Sequence, residues 1–510
     1  MGQRISKFRR RPKKKVKNKI CDECHKPTMI SYWNWCQNCN ASHFRNNFSN
    51  WSSGNSSLDQ LIQESQLQAE CSEQIIEWIP FEKFKDIKFV AQGGLGEVYY
   101  AIWEDGQIYN WDSKQNDWRR RGEHAVALKK LKKTECTSDE FLNELKSLHS
   151  ITRLKVSFEV AHCFGISRDP KTKEFIIVMS FAENGGLRNY LRNHHLNIDW
   201  PTRVNFLLKI LQGLEVIHNA GLMHGDFHSG NILMGKRYPM ISDFGLSRLM
   251  NNGQNGRESL NIDRRSSSGD SVNRNSSGDS VNRSNSGDSV NSNHEYIYGV
   301  VPYIAPEVLN GGSYTSASDI YSFGMIMYEL LTLKQPFHDT PHSLSLISSI
   351  ISNDLRPSLT NVRHPKCWIT LMKQCWDPDP AKRPTCNELK AILDKWYALT
   401  CTNIIGDRVD LETIRDFRDA ENARTVMMNA NDDGMFETGE FNRHKDAVYT
   451  SRLIPTMALV QNLENKMKRE EVEDYINSQY NLTNSSQTVN TKSKLKIQYE
   501  QWKLGLMSKE

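Results

Sequence analysis

A chain of 510 residues is longer than one compact hydrophobic core can organise, so two or more units with linkers are expected. Hydrophobic residues make up 38% of the chain and the mean hydropathy is −0.62, the balance of a globular part diluted by polar segments. No apolar run reaches the ~18 residues that cross a bilayer, and no apolar stretch follows the basic start, which argues against a spanning or signal-directed protein.

Charge is unevenly placed: the first twenty residues carry ten Lys/Arg and no acid, which leaves the rest of a +5 chain at −5. The start also fits the acylation pattern M-G-x-x-x-[ST] through Gly2 and Ser6. One acyl chain holds a membrane only marginally, and the basic run from Lys7 to Lys19 would add the second signal. Membrane anchoring, nuclear targeting and a merely solvated tail all stay open for residues 1–20. Nucleic acid is not the expected partner, because ten charges alone make a poor specific binder.

Cys21-x2-Cys24 and Cys36-x2-Cys39 follow, in a chain whose eleven cysteines are expected to be reduced. Four thiolates in two knuckles suit tetrahedral Zn²⁺, and a unit as small as 21–50 could hardly fold without it. A redox pair or free thiols are the alternatives. Trp33 and Trp35 are expected to pack a small core there or to meet a partner. Residues 51–83 read as a linker with a helix, from the apolar positions Leu58, Leu61, Ile62, Ile75, Ile76 and Ile79.

The run VAQGGLGEVYYA, Val90 to Ala101, reads as strand, turn, strand, with Gly93 and Gly96 able to bring backbone N–H groups close to a phosphate. AVALK, ending at Lys129, is an alternating strand. SDEFLNELKSLHSI then has helical spacing at Phe141, Leu145 and Leu148 and carries Glu144. EFIIVMSFA, Glu174 to Ala182, is a buried strand, and residues 201–220 form an amphipathic helix that leads to HGDFHSGNIL, His224 to Leu233. Asp226 beside a transferable proton, then Asn231 and Asp243 able to share a metal, form the core of a phosphoryl-transfer site.

Taken in order, these segments resemble the protein-kinase signature set across residues 84–398, with Ala305-Pro306-Glu307, SDIYSFG from Ser318 and CWDPDPAKRPT from Cys375 in support. The resemblance implies an α+β bilobal fold with a β-rich N-lobe and a helical C-lobe, and transfer of the ATP γ-phosphoryl to a protein hydroxyl. It makes Gly93, Gly96 and Val98 the phosphate-covering loop, with Ala91 in place of its first glycine. Lys129 becomes the phosphate partner held by Glu144, Met179 the gatekeeper, and Ser180 to Ala182 the adenine hinge. It makes Asp226 the base and Asn231 and Asp243 the Mg²⁺ ligands, and it pairs Arg383 with Glu307. The last two motifs are similar to those of the tyrosine-kinase-like group, most of whose members modify Ser/Thr. The segments WCQNCNASHFRNNFSNWSSGN and IEWIPFEKFKDIKFVAQGG resemble a kinase family expanded in mycorrhizal fungi.

Besides Ala91, four positions depart from the family pattern. Gly225 replaces the arginine of H-R-D that clamps an activation-loop phosphate, and His228 stands where many Ser/Thr kinases have lysine. Gly230 stands where many tyrosine kinases have arginine, and Val300 replaces a threonine. A nucleotide-binding pseudokinase scaffold and a zinc-dependent adaptor are the rival readings.

From Asp243 to Glu307 the chain runs 65 residues, a surplus that holds RSSSGDSVN, RNSSGDSVN and RSNSGDSVN in tandem. Such units cannot bury enough apolar surface to order themselves, so 250–296 reads as a disordered insert. Each copy carries Arg-x-x-Ser, ending at Ser268, Ser277 and Ser286. The polar, Asn-rich tail 399–510 reads as largely disordered. Asn429 to Glu440 follows EF-hand spacing with Asn429 in place of the first Asp, and a polar turn is the expected use. The whole reads as an intracellular kinase, cytoplasmic, membrane-associated or nuclear, that acts on protein substrates.

Overall fold

The computed structural model describes residues 20–28, 35–92, 96–131, 138–154, 157–194, 198–236, 238–249, 296–359, 364–401, 411–429 and 443–466. The acylation pattern, Trp33, Gly93, the three repeats and the calcium-like window beyond Asn429 lie outside the described residues. Among the described residues no helix is long and apolar enough to cross a membrane.

Helix α1 (Gln37–Asn47) begins within the second cysteine pair, with Cys36 at its N-cap and Cys39 in its first turn. Helix α2 (Ser56–Gln68) starts at Asn55, whose side chain accepts the N–H groups of Ser57 and Leu58. Leu58, Leu61 and Ile62 of α2 are buried. The Ser65 hydroxyl then takes the Ile76 N–H at 3.0 Å, and the Gln66 amide donates to the Ile76 carbonyl at 3.1 Å. These bonds lead the chain into β1 (Glu77–Trp78).

The N-lobe continues with β2 (Phe84–Gln92), β3 (Gly96–Trp103), β4 (Ile108–Asp112), β5 (Asp117–Arg120), β6 (His124–Leu131), helix α3 (Ser138–Leu154), β7 (Cys163–Arg168) and β8 (Phe175–Ser180). Six strands form one sheet in the order β1-β7-β8-β6-β3-β2, while β4 and β5 make a separate hairpin. All pairings in the large sheet are antiparallel except β1 with β7, where Glu77 faces Gly165. The linker expected over 51–83 is therefore part of the lobe: α2 packs beside α3, and β1 adds an edge strand.

The cysteine-bearing segment is fused to the same lobe through the β4–β5 hairpin. Trp35 and Phe44 share a buried cluster with Ala69, Ile75 and Ile108. Phe44 stacks on Trp118 with ring centres 4.2 Å apart, and His43 stacks on Trp111 at 3.8 Å. Trp35 thus packs a small core, one of the two uses expected of it, and its Nε1–H donates to the Ala69 carbonyl at 2.8 Å.

The C-lobe comprises α4 (Leu187–His194), α5 (Trp200–Asn219), β9 (Leu222–Met223), β10 (Ile232–Met234), β11 (Pro239–Ile241), β12 (Arg248–Leu249), β13 (Tyr296–Gly299), α6 (Pro306–Leu309), α7 (Ser316–Thr332), α8 (Leu344–Ser352), α9 (Lys366–Cys375), α10 (Cys386–Cys401), α11 (Leu411–Asn429), β14 (Arg452–Pro455) and α12 (Met457–Lys466). Asp199 caps α5 by accepting the Thr202 N–H at 2.8 Å, with Pro201 in the first turn, where its missing donor costs nothing. Helix α7 is buried from Ser318 to Leu331 and forms the lobe's axis. Arg383 meets Glu307 through two 2.7 Å bonds, the pairing the resemblance implied.

The tail departs from the expectation of wide disorder where it is described. Helix α11 buries Phe417 and Ala420, and Ala447, Ile454 and Val460 are buried further on. Isolated apolar residues in a polar stretch are enough here because their partners belong to a core already formed.

Candidate active site

Strand pairing brings Val98 of β3 opposite Lys129 of β6, and Met179 of β8 opposite Ala127. Met179 and Ala182 are both buried, and the Ala182 carbonyl accepts the Gly185 N–H at 3.2 Å. Gly96 opens β3 beside Leu131. The Lys129 ammonium donates to Glu144 Oε1 at 2.7 Å and to Asp243 Oδ1 at 3.0 Å, so α3, the sheet and the segment after β11 meet at one side chain. Burial works against that charge, but Asp243 and Glu144 more than offset it and push the lysine pKa up. Burial in turn would raise the Asp243 pKa, yet the adjacent Lys129 brings it below the usual carboxylate value.

The loop from His224 to Asn231 is held from beneath by Asp319 of α7. Asp319 accepts the N–H groups of His224 at 2.9 Å and Gly225 at 3.2 Å, and contacts His218 Nε2 at 2.9 Å. Gly225 has φ +76°, and a Cβ there would stand 2.9 Å from the Leu246 carbonyl oxygen. Glycine takes this left-handed turn without steric cost. His224 is fully buried, which pushes its pKa down, and its Nε2 lies 3.1 Å from the Ser242 carbonyl.

Asn231 Nδ2 donates to the Asp226 carbonyl at 2.9 Å and lies 3.4 Å from Asp226 Oδ2. Its Oδ1 is left as a ligand atom. The β10–β11 hairpin sets Asn231 beside Ser242, whose N–H donates to the Asn231 carbonyl at 2.9 Å, so Asn231 and Asp243 come from adjoining ends. Two oxygen donors of this kind fit a hard divalent cation. Phe244 is fully buried, and β12 pairs with β9.

Three features escaped the sequence reading. Asp319 was legible only as part of a helix. Ser229 lies 3.2 Å from the Tyr303 hydroxyl, which donates to Glu329. Ser451, far along the tail, reaches Asp226, and nothing near it in sequence signals this.

At the other end of the N-lobe, the sulfurs of Cys21, Cys24, Cys36 and Cys39 lie within 4.8 Å of one another. Cys21 and Cys39 are 3.8 Å apart, and Cys24 and Cys36 3.7 Å. A tetrahedron with Zn–S bonds of ~2.3 Å has edges of ~3.8 Å. The thiolate donor set and its spacing therefore fit zinc.

The fold and the Lys129–Asp226–Asp243 constellation define a bilobal phosphotransferase architecture. A family model of the protein kinase domain matches residues 116–396, and the chain belongs to that family. Over 276 residues it is 28% identical to a stress-activated protein kinase alpha of Dictyostelium discoideum, covering 52% of this chain and 37% of that one. A protein kinase and PP2C-like domain-containing protein of Arabidopsis thaliana is 25% identical over 331 residues, 62% of this chain and 44% of its own. An RGS domain-containing serine/threonine-protein kinase of Dictyostelium discoideum is 26% identical over 317 residues, 60% of this chain and 23% of its own. The chain thus spans less than half the length of each of these relatives.

Proposed function

We propose that the chain is an ATP-dependent protein kinase of the tyrosine-kinase-like kind, acting on Ser/Thr hydroxyls of proteins. The observation that carries this reading is Lys129, which bridges Glu144 and Asp243 in one buried network while Asp226 stands fixed by Asn231. ATP supplies the phosphoryl group and Mg²⁺ neutralises its charge when they are bound. Lys129 orients the phosphates and is itself held by Glu144. Met179 and the hinge to Ala182 take the base, and Gly96 with Val98 covers the nucleotide. Asn231 Oδ1 and the Asp243 carboxylate would hold the metal. Asp226 aligns the acceptor hydroxyl and takes its proton. The four N-terminal cysteines hold a structural Zn²⁺ that fixes α1 on the β4–β5 hairpin.

Wild type and Asp226→Asn, given ATP, Mg²⁺ and generic Ser/Thr substrates, decide between enzyme and scaffold. Wild type is expected to transfer phosphate, with the variant lower by at least about 10²-fold. Equal incorporation by both would remove the enzyme reading.

A further inference from the structure

The tail segment 443–455 crosses the face of the C-lobe and covers Asp226. On its way in, the His444 N–H donates to the His338 carbonyl at 2.8 Å, and the His342 N–H to the Asp446 carbonyl at 3.0 Å. The Tyr449 hydroxyl donates to the Pro336 carbonyl at 2.8 Å, and the Arg188 and Arg443 guanidinium carbons stand 5.6 and 5.0 Å from its ring centre. On its way out, β14 pairs antiparallel with β13, so that Ile454 faces Ile297 and Arg452 faces Gly299. A side chain on Gly299 would begin 3.3 Å from Asp226 Oδ1, so glycine lets this ribbon lie against the base.

Ser451 sits between the two anchors. Its hydroxyl donates to Asp226 Oδ2 at 2.6 Å and lies 3.0 Å from His228 Nε2. His228 Nδ1 accepts the Gly230 N–H at 3.0 Å, which leaves the ring proton on Nε2, directed at Ser451 Oγ. The hydroxyl thus gives its proton to the residue proposed as base and has its remaining lone pair free for attack. Two further hydroxyls are adjacent, but Tyr449 is engaged by Pro336 and Thr450 is exposed.

We infer that segment 443–455 is a built-in occupant of the peptide-substrate groove, and that Ser451 is an intramolecular phosphoacceptor whose modification opens the site. The inference rests on the kinase reading above. In the step, the bond from Ser451 Oγ to the γ-phosphorus forms as the β–γ bridging P–O bond breaks. Asp226 takes the hydroxyl proton and ADP leaves. The product carries about −1.5 to −2 charge beside the Asp226 carboxylate, a repulsion that favours release of the strand.

Two measurements on the full chain test this. Before nucleotide is added, hydrogen exchange should show protected amides over 452–454. After incubation with ATP and Mg²⁺, peptide mapping should place close to one phosphate on Ser451 and none on Thr450 or Tyr449. The rate should not change on hundredfold dilution, and protection over 452–454 should fall. Progress curves on an added peptide should show a lag that prior incubation with ATP and Mg²⁺ removes. In Asp226→Asn the strand should stay protected and unmodified with nucleotide present. Unprotected amides at the outset, phosphate at Thr450 instead, or a rate proportional to protein concentration would each overturn the inference. Phosphate on the added peptide with none on Ser451 overturns it and leaves the kinase reading standing. Phosphate on neither removes both.

Discussion

The Glu421 carboxylate accepts the backbone N–H of Trp200 at 3.0 Å, joining α11 to the first turn of α5 across 221 positions of sequence. On the same helix, Asp416 accepts the N–H of Cys367 at 3.0 Å in the first turn of α9. Each carboxylate meets donors that a helix start cannot satisfy internally, and its charge suits the positive end of the dipole. Between them Phe417 is buried against Trp200 and Trp396, with ring centres 6.0 and 5.4 Å away. Helix α11 is therefore a structural part of the C-lobe.

Phe417→Ala should consequently destabilise the chain by ~3 kcal/mol, the usual cost of emptying an aromatic core site. Glu421→Gln, which keeps an acceptor but removes the charge, should cost about 1 kcal/mol. Urea denaturation at constant pH measures both. Wild-type stability in the Phe417→Ala protein would mean that α11 does not pack there in solution.

The cysteine cluster gives a prediction through its neighbours. Trp35 and Trp118 lie with ring centres 6.2 Å apart beside the segment that bears Cys36 and Cys39. Purified chain should contain close to one zinc per molecule. Chelation should unpack this cluster, with a shift in tryptophan emission and a lower melting temperature, both restored by added Zn²⁺. Metal content far below one per chain, or emission indifferent to a strong chelator, would count against a structural zinc.

What the sequence made legible divides by distance along the chain. Lys129, Glu144, Asp226, Asn231, Asp243 and the four cysteines each sit in a short motif whose residue types and spacing carry their chemistry, and the structure brings the first five together. Asp319 sits in a recognised motif, but its hold on the His224 loop depends on where α7 crosses beneath it. The place of β1 next to β7 follows from pairing across nearly ninety residues, and two residues are too few to show alternation. Ile454 and Ser451 stand in a polar stretch, and their meaning comes wholly from β13 and Asp226. A sequence period reports which face is buried; it does not report against what.

His218 should give the fold a specific pH dependence. Burial works against its charge, but the hydrogen bond with Asp319 and the contact with Cys386 more than offset this and push its pKa up to about 10. A base with a raised folded-state pKa stabilises fully below its unfolded value of ~6.5 and loses that contribution as pH rises through the folded value. The stability difference between wild type and His218→Gln should therefore be largest near pH 6 and shrink by a few kcal/mol, in order of magnitude, by pH 10. Denaturant titration of both proteins across that window checks it. A difference that does not change with pH would mean that His218 is neutral in the fold.

The repeat serines provide a test of what Gly225 does. In the family pattern an arginine at this position clamps an activation-loop phosphate, whereas here the backbone turns at φ +76° and its N–H donates to Asp319 Oδ1 at 3.2 Å. No guanidinium is available at position 225 to reward phosphate on Ser268, Ser277 or Ser286. Lys129 is paired with Glu144, and β12 with β9. Doubling the length of a loop costs only ~0.6 kcal/mol, so the insert can be carried without taking part in the site. Replacing all three serines by alanine should leave turnover on a generic peptide nearly unchanged. A loss beyond about tenfold, ~1.4 kcal/mol in the barrier, would show that phosphate in the repeats reaches the site by another route.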